Sequence, residues 1–95
     1  MTPTAYVAIT TEPGAEKDVL KSLKEIPGVK KAAEVYGAKD IIATVYEPTM
    51  DKLKETITWK MRKVDKVRET QTFIVVEDES SFSRNEKGEI EKFKL

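Results

Sequence analysis

The apolar positions of the chain switch repeatedly between a period of two and a period near 3.6. Across Ala5–Thr11, Ala5, Val7 and Ile9 alternate with Tyr6, Ala8 and Thr10, the pattern of a half-buried strand. Glu12-Pro13-Gly14 breaks it, and Val19, Leu20, Leu23 and Ile26 then recur at helical spacing within Ala15–Ile26. Glu16 and Asp18 fall in the first turn of that helix, where its dipole favours acids, and Pro27-Gly28 ends it. Val29–Tyr36 and Asp40–Tyr46 read as strands joined by Gly37-Ala38-Lys39, which predicts an antiparallel hairpin. Thr49 is placed to cap a second helix, whose stripe is Met50, Leu53, Ile57, Met61 and Val64. Val67–Val76 reads as a last strand.

The order is strand, helix, strand, strand, helix, strand, and the two halves repeat. At an offset of 38 residues Val7 matches Val45, Val19 matches Ile57, Leu23 matches Met61, Ile26 matches Val64 and Val29 matches Val67. Two βαβ units in tandem predict an α+β, ferredoxin-like βαββαβ fold: a four-stranded antiparallel sheet with both helices on one face. The other face is then left bare. Carrying the alternation along each strand places Tyr6, Ala8, Thr10, Ala32, Glu34, Tyr36, Ile42, Thr44, Tyr46, Thr70, Thr72, Ile74 and Val76 there. Such a surface is too apolar for open solvent, and dimerisation through the sheet is the expected cover. Trp59 falls on the outer side of the second helix, either as a harmless exposed aromatic or as the anchor of a second interface.

Composition narrows the chemistry. The chain has no Cys and no His, which removes disulfides, thiolate and imidazole metal ligands, Cys nucleophiles and His bases; no metal or cofactor is expected. Lys and Arg total 17 and so do Asp and Glu, so charge alone points to neither nucleic acid nor acidic membranes. Charged residues make up 36% of the chain, a composition that leans towards thermophiles. No apolar run approaches the ~20 residues of a membrane span, and no signal peptide opens the chain, so a cytoplasmic protein is expected. Residues 1–76 form the domain, and 77–95 are a polar extension in which Phe82, Ile90 and Phe93 either build a small hairpin around Asn85–Gly88 or stay disordered.

The residues now on the page resemble the effector-binding domain of the Lrp/AsnC transcription regulators, also called the RAM domain. The resemblance covers roughly Ala5 to Val76. Its carriers are Glu12-Pro13-Gly14 after the first strand, Ile26-Pro27-Gly28-Val29 after the first helix, the G-x-x-D turn Gly37–Asp40, and the T-x-T of Thr70-Gln71-Thr72. The chain departs from the family pattern twice. Lys39 stands where an aromatic usually precedes the Asp, and Asp65-Lys66 stands where Pro-Gly often precedes the last strand.

The resemblance implies a dimer made through the sheets, higher oligomers, and an amino acid or related small effector bound near the turn and the T-x-T strand. It implies no enzymatic activity. The first strand starts by about residue 5, so the expectation is a stand-alone RAM protein that contacts no DNA itself and co-assembles with full-length Lrp/AsnC regulators. The expected ligand-binding set is Tyr36, Gly37, Ala38, Lys39, Asp40, Thr70, Gln71 and Thr72; the expected interface set is Tyr6, Ala8, Ile42, Tyr46, Trp59 and Ile74. In that site the Gly37–Lys39 backbone takes a carboxylate, Asp40 takes an amine, and the threonine hydroxyls complete the hydrogen bonds. The opposing reading is that Asp40 only ties down its turn through its own side chain. Two further functions stay open: a ligand-free oligomeric scaffold, and a small ferredoxin-like enzyme, which the lack of His disfavours.

Overall fold

The computed structural model describes residues 2–76, together with the backbone of strands at 82–84 and 90–92. The chain runs β1 (Thr4–Thr11), α1 (Glu16–Lys24), β2 (Val29–Glu34), β3 (Ile41–Tyr46), α2 (Met50–Glu55) and β4 (Val67–Ile74). The first four strands form one antiparallel sheet in the order β2-β3-β1-β4, so β1 and β3 are central and β2 and β4 are the edges. This is the ferredoxin-like α+β arrangement. Two later strands, β5 (Phe82–Arg84) and β6 (Ile90–Lys92), pair antiparallel with Ser83 opposite Glu91. The Asn85–Gly88 turn and Phe93 of the expected hairpin lie outside the described residues.

The core lies between the sheet and its helices. Ala5, Val7 and Ile9 of β1 and Ile41, Ala43 and Val45 of β3 have no exposed surface, and Val19, Leu23, Leu53, Ile57 and Met61 pack over them from the helices. Those strands are buried where the alternation predicts. Gly14 takes a φ of 84° in the turn before α1, a conformation glycine adopts at no steric cost. Thr49 caps α2: its hydroxyl accepts from the Lys52 N–H at 3.1 Å.

Past Glu55 the second helix widens. Thr56–Met61 is π-helical, closed by an i→i+5 bond in which the Arg62 N–H donates to the Ile57 carbonyl at 3.1 Å. Thr56, where the α-helical turns give way to the wider one, is fully buried. Its hydroxyl donates to the Glu47 carboxylate, which itself lies against the Cα of Gly28. A side chain at Gly28 would meet Glu47 Cδ at 2.9 Å and Thr56 Cγ2 at 3.1 Å, so Glu47 would have to shift to admit one.

The two edge strands depart from the predicted phase, and for one reason. Val29 pairs with Val45 but Lys31 pairs with Thr44, so Lys30 is an extra residue, a β-bulge. Thr11 pairs with Val67 but Thr10 pairs with Glu69, so Arg68 is a second bulge. Each extra residue flips every side chain after it. Ala32 and Glu34 therefore point to the helix side, and Lys31 and Ala33 to the open side. On β4, Thr70 pairs with Ile9, Thr72 with Val7 and Ile74 with Ala5, all helix-side partners. Thr70, Thr72 and Ile74 are thus on the helix side, contrary to the alternation, and Glu69, Gln71 and Phe73 occupy the open face.

Candidate functional site

The connection between β2 and β3 is longer than the alternation predicts, running from Val35 to Asp40, and it is closed by the Val35 N–H donating to the Asp40 carbonyl at 2.9 Å. Tyr36, Gly37 and Ala38 project into solvent, while Lys39 and Asp40 are half-buried. Gly37 has a φ of 159°, near extended backbone, so the turn does not rest on a left-handed glycine.

Asp40 is tied into the sheet. Its own N–H donates to the Ile9 carbonyl at 3.0 Å, and its Oδ2 accepts from the Thr11 N–H at 2.8 Å. The Thr11 hydroxyl lies 3.4 Å from the same oxygen. The cause is the sheet's own geometry. Pairing between β1 and β3 ends at Ile9, so the Thr11 N–H lies beyond the ladder while its residue is buried, and a carboxylate supplies the missing acceptor. Asp40 Oδ1 accepts no hydrogen bond among the described residues. Lys39 leans the other way, its Nζ 4.0 Å from Glu69 Oε1 on β4.

The structure divides the expected ligand-binding set. Tyr36–Asp40 stay together at the turn, and Gln71 is on the open face opposite Ala8. Thr70 and Thr72 are on the helix side, where with Ile74 they line a groove of about 280 Å³ whose other wall is Lys54, Ile57, Thr58 and Arg62.

The open face carries Tyr6, Ala8, Ile42 and Tyr46, as expected, and Phe73, which the misplaced phase had hidden. Tyr6 is 47% exposed, Tyr46 41% and Phe73 52%, and Phe73 stands directly opposite Tyr6. Ala8, nearly covered, lies on the next row of the same face, between Ile42 and Gln71. Ile74 leaves the interface set for the reason given above. The signal that could have found Phe73 is the charged pair after the valine, Arg68-Glu69, where strict alternation would put one polar residue. Trp59 is on the outer side, 61% exposed, with Lys63 Nζ 4.5 Å from its ring centroid.

An antiparallel sheet with helices on one face and its aromatics on the other is the ferredoxin-like arrangement. The Lrp/AsnC ligand binding domain model matches residues 4–83, and the chain belongs to that family. It is 35% identical over 71 residues to an uncharacterised HTH-type transcriptional regulator of Pyrococcus abyssi, a match covering 75% of this chain and 45% of that protein. The chain thus spans less than half the length of this curated relative. The solved structure of FFRP-DM1 superposes with a TM-score of 0.74 at 36% identity, over 78% of this chain and 99% of that one. A feast or famine regulatory protein from M. tuberculosis, solved with L-methionine, superposes with a TM-score of 0.65 at 25% identity, over 80% of this chain and 51% of that one. Membership makes this a regulatory domain and not an enzyme. Among the described residues no helix is long and apolar enough to cross a membrane.

Proposed function

We propose that the chain is an effector-sensing RAM domain that self-associates through its open face, binds an amino acid or related small molecule, and modulates Lrp/AsnC-type regulators by co-assembly. The observation that carries this reading is the exposed aromatic patch of Tyr6, Tyr46 and Phe73 on a sheet face that no helix covers among the described residues. Aromatics dominate interface energetics, and a two-fold pairing of this face would bury all three from each copy. The L-methionine complex of the mycobacterial protein supports the ligand class. In this reading Asp40 Oδ1, which has no protein donor among the described residues, receives the effector's ammonium. The domain works in the cytoplasm and contacts no nucleic acid itself.

Light scattering with an amino-acid thermal-shift screen tests the proposal. The wild type should run as a dimer or a multiple of it, Phe73→Glu should fall towards monomer, and one amino acid should raise Tm. A wild-type monomer would sink the assembly half. The engagement of Asp40 by Thr11 and of Lys39 by Glu69 favours a second reading, a ligand-free scaffold. A constant oligomeric mass with no shift from any amino acid would select it.

A further inference from the structure

We infer that the helix-side groove beside β4 is a second binding site, for a small dianion: two carboxylates joined by a short apolar linker. This goes beyond the effector reading, because the groove is on the opposite side of the sheet from the aromatic face and uses neither the turn nor Asp40.

Charge comes first. The groove is lined by two cations, Lys54 and Arg62, and by no carboxylate. The ion pairs of the described residues engage Lys39, Lys52 and Lys66, and none engages Lys54 or Arg62. Two cations over one concave surface, with no ion-pair partner among the described residues, attract anions.

Shape and hydrogen bonding narrow the ligand. At about 280 Å³ the groove suits a small metabolite better than a peptide or nucleotide. Ile57, buried in the core, forms its apolar floor and Ile74 a flank. The Thr70 and Thr72 hydroxyls project from the strand side and make no hydrogen bond among the described residues, so both are free to donate. Lys54, in the last turn of α2, and Arg62, just past the π-helical turn, are eight residues apart in sequence, roughly 12 Å at 1.5 Å per residue and less where the helix widens. Two long side chains so spaced can reach inward to two acidic groups on one short molecule, whereas a single carboxylate would leave one cation unused. The π-helical turn anchors the arrangement. Its closing bond joins Arg62 to Ile57, so the cation and the apolar floor come from one hydrogen-bonded unit.

The β4 bulge is what creates the site. Without the extra residue at Arg68, Thr70 and Thr72 would face the aromatic patch, and the groove would lose its hydroxyls.

Glutarate is the probe, because it has two carboxylates and no amine for the turn. Titration at low salt, followed by amide chemical shifts, should move Thr70 and Thr72 and leave Gly37–Asp40 unmoved. Acetate should bind at least about tenfold more weakly, and raising the salt should weaken glutarate binding. Arg62→Gln and Lys54→Gln, which keep the stem and remove the charge, should each lower affinity about tenfold, and Thr72→Val about threefold. Asp40→Asn should leave glutarate binding unchanged. Absence of shifts at Thr70 and Thr72 up to tens of millimolar glutarate, or equal affinity in Arg62→Gln and wild type, overturns the inference. If an amino acid binds at the turn in the same samples, the effector reading survives that failure. If neither binds, both readings fall.

Discussion

Replacing Asp40 with Ala should cost about 2 kcal/mol of folding stability, and the reasoning is local. The carboxylate accepts the Thr11 N–H at 2.8 Å, and Thr11 is only 3% exposed. Removing the acceptor strands a buried backbone donor. Hydrogen bonds to charged partners contribute about 1.5–3 kcal/mol, and an unsatisfied buried group costs about 1–3 kcal/mol. Asp40 is half-buried, so water can partly replace it, and the estimate belongs near the middle of that range. With a urea m-value of about 1.5 kcal/mol/M for a chain of this size, the midpoint should fall by a little over 1 M. Asp40→Asn keeps an acceptor oxygen of the same reach and should lose well under half as much. The pair separates the brace from the charge: Ala reports the bond to Thr11, and Asn removes the negative charge an ammonium would need. Urea unfolding at one protein concentration measures both, and exchange of the Thr11 amide should speed up in the Ala variant alone. Midpoints for Ala and wild type within about 0.3 M of each other would refute the brace.

Lys66 has a φ of 70°, the only positive φ of a non-glycine among the described residues, and its Nζ lies 3.8 Å from Asp18 Oδ2 at an exposed pair. Lys66→Gly should stabilise by about 0.5–1 kcal/mol, since relief of the left-handed penalty exceeds the added entropy of the unfolded chain; a thermal melt should show Tm up by about 3–6 °C. Lys66→Ala keeps the strain and should not share the gain. Gly28→Ala should destabilise by about 1–2 kcal/mol, because the new methyl meets the Glu47 carboxylate and its hydrogen-bond partner Thr56; a neutral melt would mean that Glu47 moves freely.

The central strands and both helices were legible because burial there keeps strict time: Ile9 and Ile41 face the core where period two puts them. The edges were not, because a bulge leaves the residue types plausible while inverting their faces. Thr70 and Thr72 read equally well on either side until the extra residue at Arg68 is known. Period two also broke visibly, since Lys30-Lys31 follows Val29 and Arg68-Glu69 follows Val67, a polar doublet in each edge strand. The bulges themselves obey the internal repeat, for Lys30 and Arg68 are separated by the same offset of 38 that aligns the two halves. The π-helical turn had no such signal. Thr56 follows Leu53 by three residues and flanks the apolar stripe, but nothing in the residue types marks where i→i+4 bonding gives way to i→i+5. Asp40 was legible as a candidate but its partner was not, because Thr11 is distant in sequence and their meeting depends on where the ladder ends.

A bulge on each outer strand also governs how copies of this chain can aggregate. A sheet edge with regular pleating offers a row of donors and acceptors to any passing strand, and unlimited ribbons grow that way. Here both edges are kinked near their first residues, each with a protruding cation, Lys30 on one side and Arg68 on the other. The template is bent and carries like charge at both ends of the sheet. Growth from edge to edge is thereby discouraged, leaving the exposed aromatics of the open face as the surface on which two copies would meet. A surface of that kind is used up once two copies pair about a two-fold axis, so the duplicated bulge favours small closed assemblies over fibres.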